Sequence, residues 1–279
     1  MSLILKYFFI TLLGTVLIAF IPQAFSDSAN ESINVIVKQG GFKVGVRTNT
    51  PGLGYIDPIS EEYTGFEVDL AKQIAAKFNT SVTFIPVKEH WQDKLNSVNN
   101  EDTHMVISCI TITDERKTVA DLTSPYYIDE CTLLVNKNSG ISSLNDIMNK
   151  KVGTLTGTVS ARFLVDELIA EKLIKPENTS NFDVATWNNG LSFFVYDTYD
   201  ELANLLKCGK IDAILGDKIT LTKYITENRH FINKVFAPQH YGILLKKDSQ
   251  LTAILNKLIS KWTEDGTLKQ LATDNGLTP

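Results

Sequence analysis

The run Ser108-Cys-Ile-Thr-Ile-Thr-Asp-Glu-Arg116 gathers hydroxyls and a guanidinium into a short segment. The apolar residues Met105 to Ile110 read as a buried strand that enters a polar turn. An arginine offers a two-pronged donor, and a strand end offers backbone N–H groups, so together they suit a small carboxylate. A solvated turn with Arg116 in a surface ion pair would use the same residues. Ser124-Pro-Tyr-Tyr127 follows, and a second polar strand end, Asp212-Ala-Ile-Leu-Gly-Asp217, supplies an acid of the opposite sign. Asp217 also suits a helix cap before Lys218 to Tyr224. Other chemistries leave no pattern. There is no Gly-x-Ser-x-Gly run and no phosphate loop, and the four histidines, His90, His104, His230 and His240, lack metal-ligand spacing. No metal and no cofactor is expected.

The elements that must position these groups alternate between strand and helix. Strands are expected at Phe42 to Val46, Val82 to Val87, Met105 to Ile110, Cys131 to Val135, Lys151 to Leu155, Ile211 to Leu215 and Tyr241 to Leu245. Apolar residues at 66, 70, 74, 75 and 78 have helical spacing over 65–78. Further helices are expected at 92–99, at 144–148 with Ser143 as cap, and at 160–172, 199–207 and 251–263. Alternation of this kind argues for α/β architecture with largely parallel sheets. The segment 95–107 is echoed by 202–215: each is a helix, a turn, a short buried strand and a polar strand end. Two similar α/β lobes follow, and ligands of open α/β sheets bind at such strand ends. Two facing ends make a cleft.

Residues 1–26 have the pattern of a secretory signal peptide: Lys6, the apolar run Tyr7 to Ile21, and small residues at Ala24 and Ser26. An uncleaved anchor is the competing reading. No cysteine follows the run, so no lipid anchor is expected. Cleavage removes one Lys and no acid, leaving 26 basic and 32 acidic residues, a formal charge of −6. That balance argues against a nucleic-acid or anionic-membrane partner. Cys109, Cys131 and Cys208 allow at most one internal disulfide, and the sequence does not choose the pair.

Gly65-Phe-Glu-Val-Asp-Leu-Ala, the Ser108 to Arg116 run, Ser124-Pro-Tyr-Tyr127, Gly209-Lys-Ile-Asp-Ala213 and Tyr241-Gly-Ile243 occur in the order seen in the bacterial extracellular solute-binding proteins of the polar amino-acid type. The chain resembles that family from about Phe42 to Leu277. The resemblance implies a two-lobed periplasmic binding protein fold (type II), each lobe a mainly parallel sheet flanked by helices. Lobe 1 would be 27–125 with 242–279 and lobe 2 would be 131–238, with hinge crossings at 126–130 and 238–242. It implies a monomeric, non-enzymatic periplasmic protein that closes on an amino acid and delivers it to the permease of an ABC importer. By position, Arg116 would bind the ligand α-carboxylate with help from Thr111, and the backbone of Ser108 and the side chain of Asp217 would meet the ammonium. The N–H groups of the turn holding Thr158 and Val159 would reach the carboxylate from a helix start.

Arg47 stands where relatives that bind basic amino acids tend to carry an aspartate. If Arg116 and Asp217 pair with the ligand's backbone charges, closure leaves Arg47 buried and unpaired, at a cost on the order of 3–5 kcal/mol. A ligand carboxylate would remove that cost, so glutamate or aspartate is expected. Arg47 at the cleft rim, or paired with Glu89 or Asp57, is the competing reading, and glutamine is the nearest competing ligand. Relatives of the same fold include exported cyclohexadienyl and arogenate dehydratases, for which Glu89 and Glu130 would be the candidate acids. A sensor partner in place of a permease is a further alternative. Thr50 and Leu53 stand where an aromatic is common, Cys109 where glycine is usual, and His104 where an aspartate is usual. The segment 178–194, with Trp187, Phe193 and Phe194, has no clear counterpart in the family.

Overall fold

The computed structural model describes residues 27–176, 179 and 182–277. The expected signal peptide, 1–26, lies outside them. The first part of the chain forms α1 (Asp27–Lys38), β1 (Phe42–Val46) and the small meander β2 (Asn49–Thr50), β3 (Gly54–Ile56) and β4 (Tyr63–Thr64). It continues with α2 (Phe66–Lys77), β5 (Val82–Pro86), α3 (Trp91–Asn99), β6 (Met105–Ile107), α4 (Asp114–Val119) and β7 (Asp121–Leu122). The second part is β8 (Tyr127–Asn136), β9 (Lys151–Leu155), α5 (Ser160–Ala170), β10 (Ser192–Tyr196), α6 (Tyr199–Lys207), β11 (Ala213–Asp217), α7 (Lys218–Leu221), β12 (Arg229–Phe231) and β13 (Phe236–Tyr241). The chain ends with β14 (Leu244–Leu245), α8 (Leu251–Glu264) and α9 (Thr267–Asp274).

Two mixed sheets organise the molecule. The first runs β5-β1-β6-β14-β7 and the second β10-β9-β11-β8-β12, with β13 also on β8. Each is parallel through its first three strands, β5-β1-β6 and β10-β9-β11, as the strand–helix alternation requires. Antiparallel pairs enter with the strands that carry the chain between sheets: β8 lies antiparallel on β11, and β14 on β6 and β7. The chain leaves the first sheet after β7 and returns after β13, and β8 and β13 pair antiparallel from Cys131↔Phe236 to Tyr127↔Tyr241.

Each sheet has its own core. Phe66, Leu70 and Ile74 of α2 pack with Val44, Val46 and Ile107 under the first sheet, while Leu164, Val165 and Leu168 of α5 pack with Leu133, Val152 and Leu215 under the second. Full burial of a side chain of this size contributes about 1.5–3 kcal/mol. Gly65 opens α2 at φ +115°, and a Cβ there would stand 2.3 Å from the Leu53 carbonyl, so only glycine fits.

The repeated helix–turn–strand unit is structural as well as sequential. The Lys43 N–H donates to His104 Nδ1 at 2.9 Å, and the Lys151 N–H donates to Asp212 Oδ2 at 2.8 Å. The backbone N–H groups of His104 and Asp212 return to the carbonyls of Lys43 and Lys151. His104 therefore does in one lobe what an aspartate does in the other.

Several expectations change. Strand β6 stops at Ile107 because Cys109 turns left-handed at φ +46°. The polar turn to Arg116 is completed by a short helix, α4, whose first turn is capped by Thr113 accepting from the Arg116 N–H. Ser143 does not cap its turn: its hydroxyl donates to Asp146, and the turn is 3-10 at Asn145–Ile147. Helix α5 ends at Ala170, two residues early, as Lys172 is left-handed at φ +61°.

Candidate functional site

Facing ends of the two sheets line a small cavity of about 40 Å³. From the first lobe it is lined by Arg47 just past β1, Glu89, Trp91 and Lys94 at the start of α3, Thr111, and Arg116 on α4. From the second it is lined by the 157–160 turn at the start of α5, Tyr199, Asp217 at the end of β11, and Thr220 on α7.

Arg116 is held for bidentate work. Its Nη1 donates to the Thr111 carbonyl at 2.9 Å, its Nη2 donates across the cleft to the Gly157 carbonyl at 3.3 Å, and the guanidinium lies 4.5 Å from the centre of the Trp91 ring. Burial lowers its pKa to about 10, against the pull of Asp217 and Glu115. Thr111 uses its hydroxyl to donate to Gln239 Oε1 at 2.9 Å. Thr158 donates to the Leu155 carbonyl at 3.0 Å, which fixes the turn before Val159, the residue preceding α5. A helix start of this kind carries partial positive charge. Asp217 accepts from the Tyr241 hydroxyl at 2.7 Å and faces the Cys131 thiol at 3.7 Å, and burial raises its pKa.

Arg47 is 5% exposed. Its Nη1 donates to Thr50 on its own lobe at 3.1 Å and to Thr220 on the other at 3.2 Å. The expectation that Arg47 lacks an acid is corrected: Glu67, fully buried at the start of α2, lies 4.0 Å from its Nε. Among the described residues neither Arg47 Nε nor Glu67 Oε2 has a hydrogen-bond partner, so the pair is electrostatic. Burial works against the Arg47 charge, but Cys109, Glu67 and Glu89 offset it and the pKa is raised. Glu67 Oε1 accepts from the Cys109 N–H and from the Tyr126 hydroxyl, each at 2.6 Å. Asp57 is turned away, accepting from the N–H groups of Ile59 and Ser60 in its own loop.

Of the residues singled out from the sequence, Arg47, Thr111, Arg116, Thr158, Val159 and Asp217 line one cavity. Ser108 does not. It is buried beneath the cavity, and its carbonyl accepts from Lys94 Nζ at 2.8 Å. Glu89 lines the cavity and Glu130 does not. All three cysteines are free.

Sequence reasoning missed Trp91 and Lys94. Lys94 is 4% exposed, and burial, with Arg47 nearby, lowers its pKa to about 8. The signal was present: Lys94 shares the buried face of α3 with Leu95 and Val98, and a cation among apolar neighbours is unusual. Trp91, three residues earlier, stands on the adjoining surface.

Residues 42–276 match the model of the bacterial extracellular solute-binding proteins, family 3. The chain is 29% identical over 271 residues to the L-cystine-binding protein TcyJ of Escherichia coli (strain K12), covering 94% of this chain and 92% of that one. It is 29% identical over 264 residues to the ABC transporter glutamine-binding protein GlnH of Bacillus subtilis (strain 168), covering 89% and 86%. Among solved structures it resembles the amino acid ABC transporter substrate-binding protein AbpA of Streptococcus pneumoniae bound to L-arginine, with TM-score 0.69, 25% identity, and coverage of 87% and 97%.

Proposed function

The chain belongs to the bacterial extracellular solute-binding proteins, family 3, and from that premise we propose that it is the amino-acid-binding component of an ABC importer and closes on a polar, acidic amino acid. The observation that carries this reading is the cavity itself: Arg116 on one lobe and Asp217 on the other line it together. A zwitterion offers a carboxylate to the first and an ammonium to the second, and it bridges them only when the lobes meet. The lobes are 27–125 with 242–279 and 131–238, and bending falls at 126–130 and 238–242, where β8 and β13 run side by side. Only a ligand that binds the closed form better than the open one shifts the population toward closure. The closed form then docks on a membrane permease from the periplasm.

The ligand side chain points to Arg47 and Lys94. Once Arg116 and Asp217 are engaged, two cations and one carboxylate, Glu89, remain on the cavity wall. A side-chain carboxylate balances that excess, so glutamate or aspartate is favoured. Glu67 behind Arg47 lessens the cost of an uncharged ligand, so glutamine follows closely. A thermal-shift screen of the twenty amino acids and L-cystine tests this. At a hundredfold excess over Kd, glutamate or aspartate is expected to raise Tm by about 5–10 °C. Shifts confined to glutamine, arginine or cystine would remove the acidic ligand, and no shift would remove the amino-acid reading.

One observation favours turnover instead. Glu89 Oε1 accepts from Asn49 at 2.7 Å, while its Oε2 is buried, has no hydrogen-bond partner among the described residues, and belongs to the cavity wall, where a catalytic acid would stand. Incubation with prephenate or arogenate is expected to give no product.

A further inference from the structure

Asp129 lies in β8, 8% exposed, outside the cavity wall. Its Oδ2 accepts from the Ile219 N–H at 3.0 Å and stands 3.1 Å from the Tyr241 hydroxyl. Asp217 Oδ2 stands 2.7 Å from the same hydroxyl. A phenol carries one hydrogen and two lone pairs, so it donates to only one of these carboxyls. The second short contact needs a hydrogen from the other side. All contacts are satisfied when Asp129 is protonated and donates to the Tyr241 oxygen, and Tyr241 donates to an ionised Asp217. Tyr241 packs in the core of the first lobe, while both carboxyls stand on strands of the second sheet, so the hydroxyl links the lobes at the crossing.

The surroundings support one proton on the pair. Burial, then the neighbouring Asp217, pushes Asp129 up to about 7. Two adjacent buried carboxyls titrate as a unit, not as independent groups. Tyr127 and Cys131 flank Asp129 on β8, and the Cys131 thiol faces Asp217. Cys109 shares the cavity wall with Asp217, while Arg47 and Arg116 across the cleft favour the Asp217 charge. Lys218 and His240, on the adjoining α7 and β13, are exposed.

We propose that Asp129 is a positioning residue for Asp217: it holds the shared proton, anchors the Tyr241 hydroxyl, and leaves Asp217 as the charged partner of the ligand ammonium. This rests on the reading of the cleft as an amino-acid site. An ammonium arriving at Asp217 lowers the cost of a second negative charge, so binding expels the proton from Asp129. The liganded protein then holds fewer protons than the free one, and affinity falls as pH drops through the titration of the pair.

Two measurements test this. Carbon-13 NMR of the ligand-free protein labelled at aspartate carboxyls is expected to show one resonance titrating near neutral pH, absent in Asp129→Asn. If every aspartate titrates below about pH 5, the ordinary range, the inference is overturned whether or not any amino acid binds. Calorimetry with L-glutamate at pH 6 and 8 is expected to show weakening at the lower pH, up to about tenfold per pH unit for one linked proton, and a flatter profile in Asp129→Asn. The contact of His90 with Asp197 at 3.1 Å across the cleft and the loss of charge on Lys94 near pH 8 are common to both proteins, so the readout is the difference between them. Equal profiles overturn the role of Asp129. Asp217→Ala separates the two ideas: loss of binding there, with Asp129→Asn unchanged in spectrum and profile, keeps the cleft and removes Asp129. If L-glutamate does not bind the wild type, the acidic-ligand reading fails and the NMR titration alone decides for or against Asp129.

Discussion

Lys94 and Arg47 differ in what removing them does. Lys94→Met keeps much of the buried stem and removes the charge, so the preference for glutamate over glutamine is expected to fall about tenfold, the effect of roughly 1.4 kcal/mol. Calorimetric Kd ratios check it, and an unmoved ratio would clear Lys94 of any part in selectivity. Lys94 loses its proton through about pH 8, so the wild-type preference should decline from pH 7 to 9 while that of Lys94→Met stays level. Arg47→Met carries a second effect, because Glu67 is left buried without its cation. A destabilisation of about 3–5 kcal/mol is expected, largely relieved by adding Glu67→Gln. If denaturant melts show no such rescue, the 4.0 Å pair is not an energetic unit. Cys109 carries the cost of a left-handed backbone, at φ +46°.

At the scale of elements, the paired turns at His104 and Asp212 make a prediction with a definite sign. His104 accepts through Nδ1, which requires the neutral ring, and burial lowers its pKa. The unfolded chain then binds the proton more readily, so this contribution is present above the ordinary imidazole value of about 6.5 and is lost as pH falls below it. His104→Asp keeps an acceptor over that range. Its loss of unfolding free energy between pH 7 and 5 should be smaller than the wild type's by about 1 kcal/mol, the worth of one hydrogen bond. Equal losses in guanidinium melts would refute the assignment.

Much at this scale was legible in the sequence, and the gaps have physical causes. Helices α2, α3, α6 and α8 follow from apolar spacing because each buries one face. Strand β13 did not, because Pro238 and the left-handed Ala237 break its pattern; Pro238 is tolerated because, among the described strands, β13 pairs only with β8, and the further bridge of Tyr241 to Thr111 lies at its far end. Strand β10 was readable from Ser-Phe-Phe-Val-Tyr but was masked by a segment without a family counterpart. Helix α1, with Ile33 and Ile36 buried, was obscured by its polar start, Asp27-Ser-Ala-Asn-Glu. In the site, charged residues on loops announced themselves, whereas Lys94 lay inside a helix whose pattern already looked explained. The partner of Arg47 was invisible because the sequence does not say that α2 turns Glu67 inward.

For the whole molecule, side chains of the two lobes meet across the cleft. Lys223 Nζ donates to the Asn49 carbonyl at 2.8 Å, Arg162 stands 3.7 Å from Glu115, and His90 stands 3.1 Å from Asp197. These lie near the surface, and each contributes at most about 1 kcal/mol. Lys223→Ala with Arg162→Ala is therefore expected to weaken ligand affinity about tenfold without changing Tm of the free protein by more than a few degrees. Small-angle scattering should still show compaction at saturating ligand; if it does not, closure depends on these bridges more than on the ligand.

Strand β14 lies between β6 and β7 although about 120 residues separate it from β7, and more from β6, in the chain. As the chain is delivered from its N-terminus, the first sheet stays split, with β7 detached from β6, until residues 244–245 arrive. The second sheet, drawn wholly from β8 to β13, is complete before then. The half made first is thus finished last, and the unfinished groove beside β6 is the surface that the emerging polypeptide must keep from wrong partners.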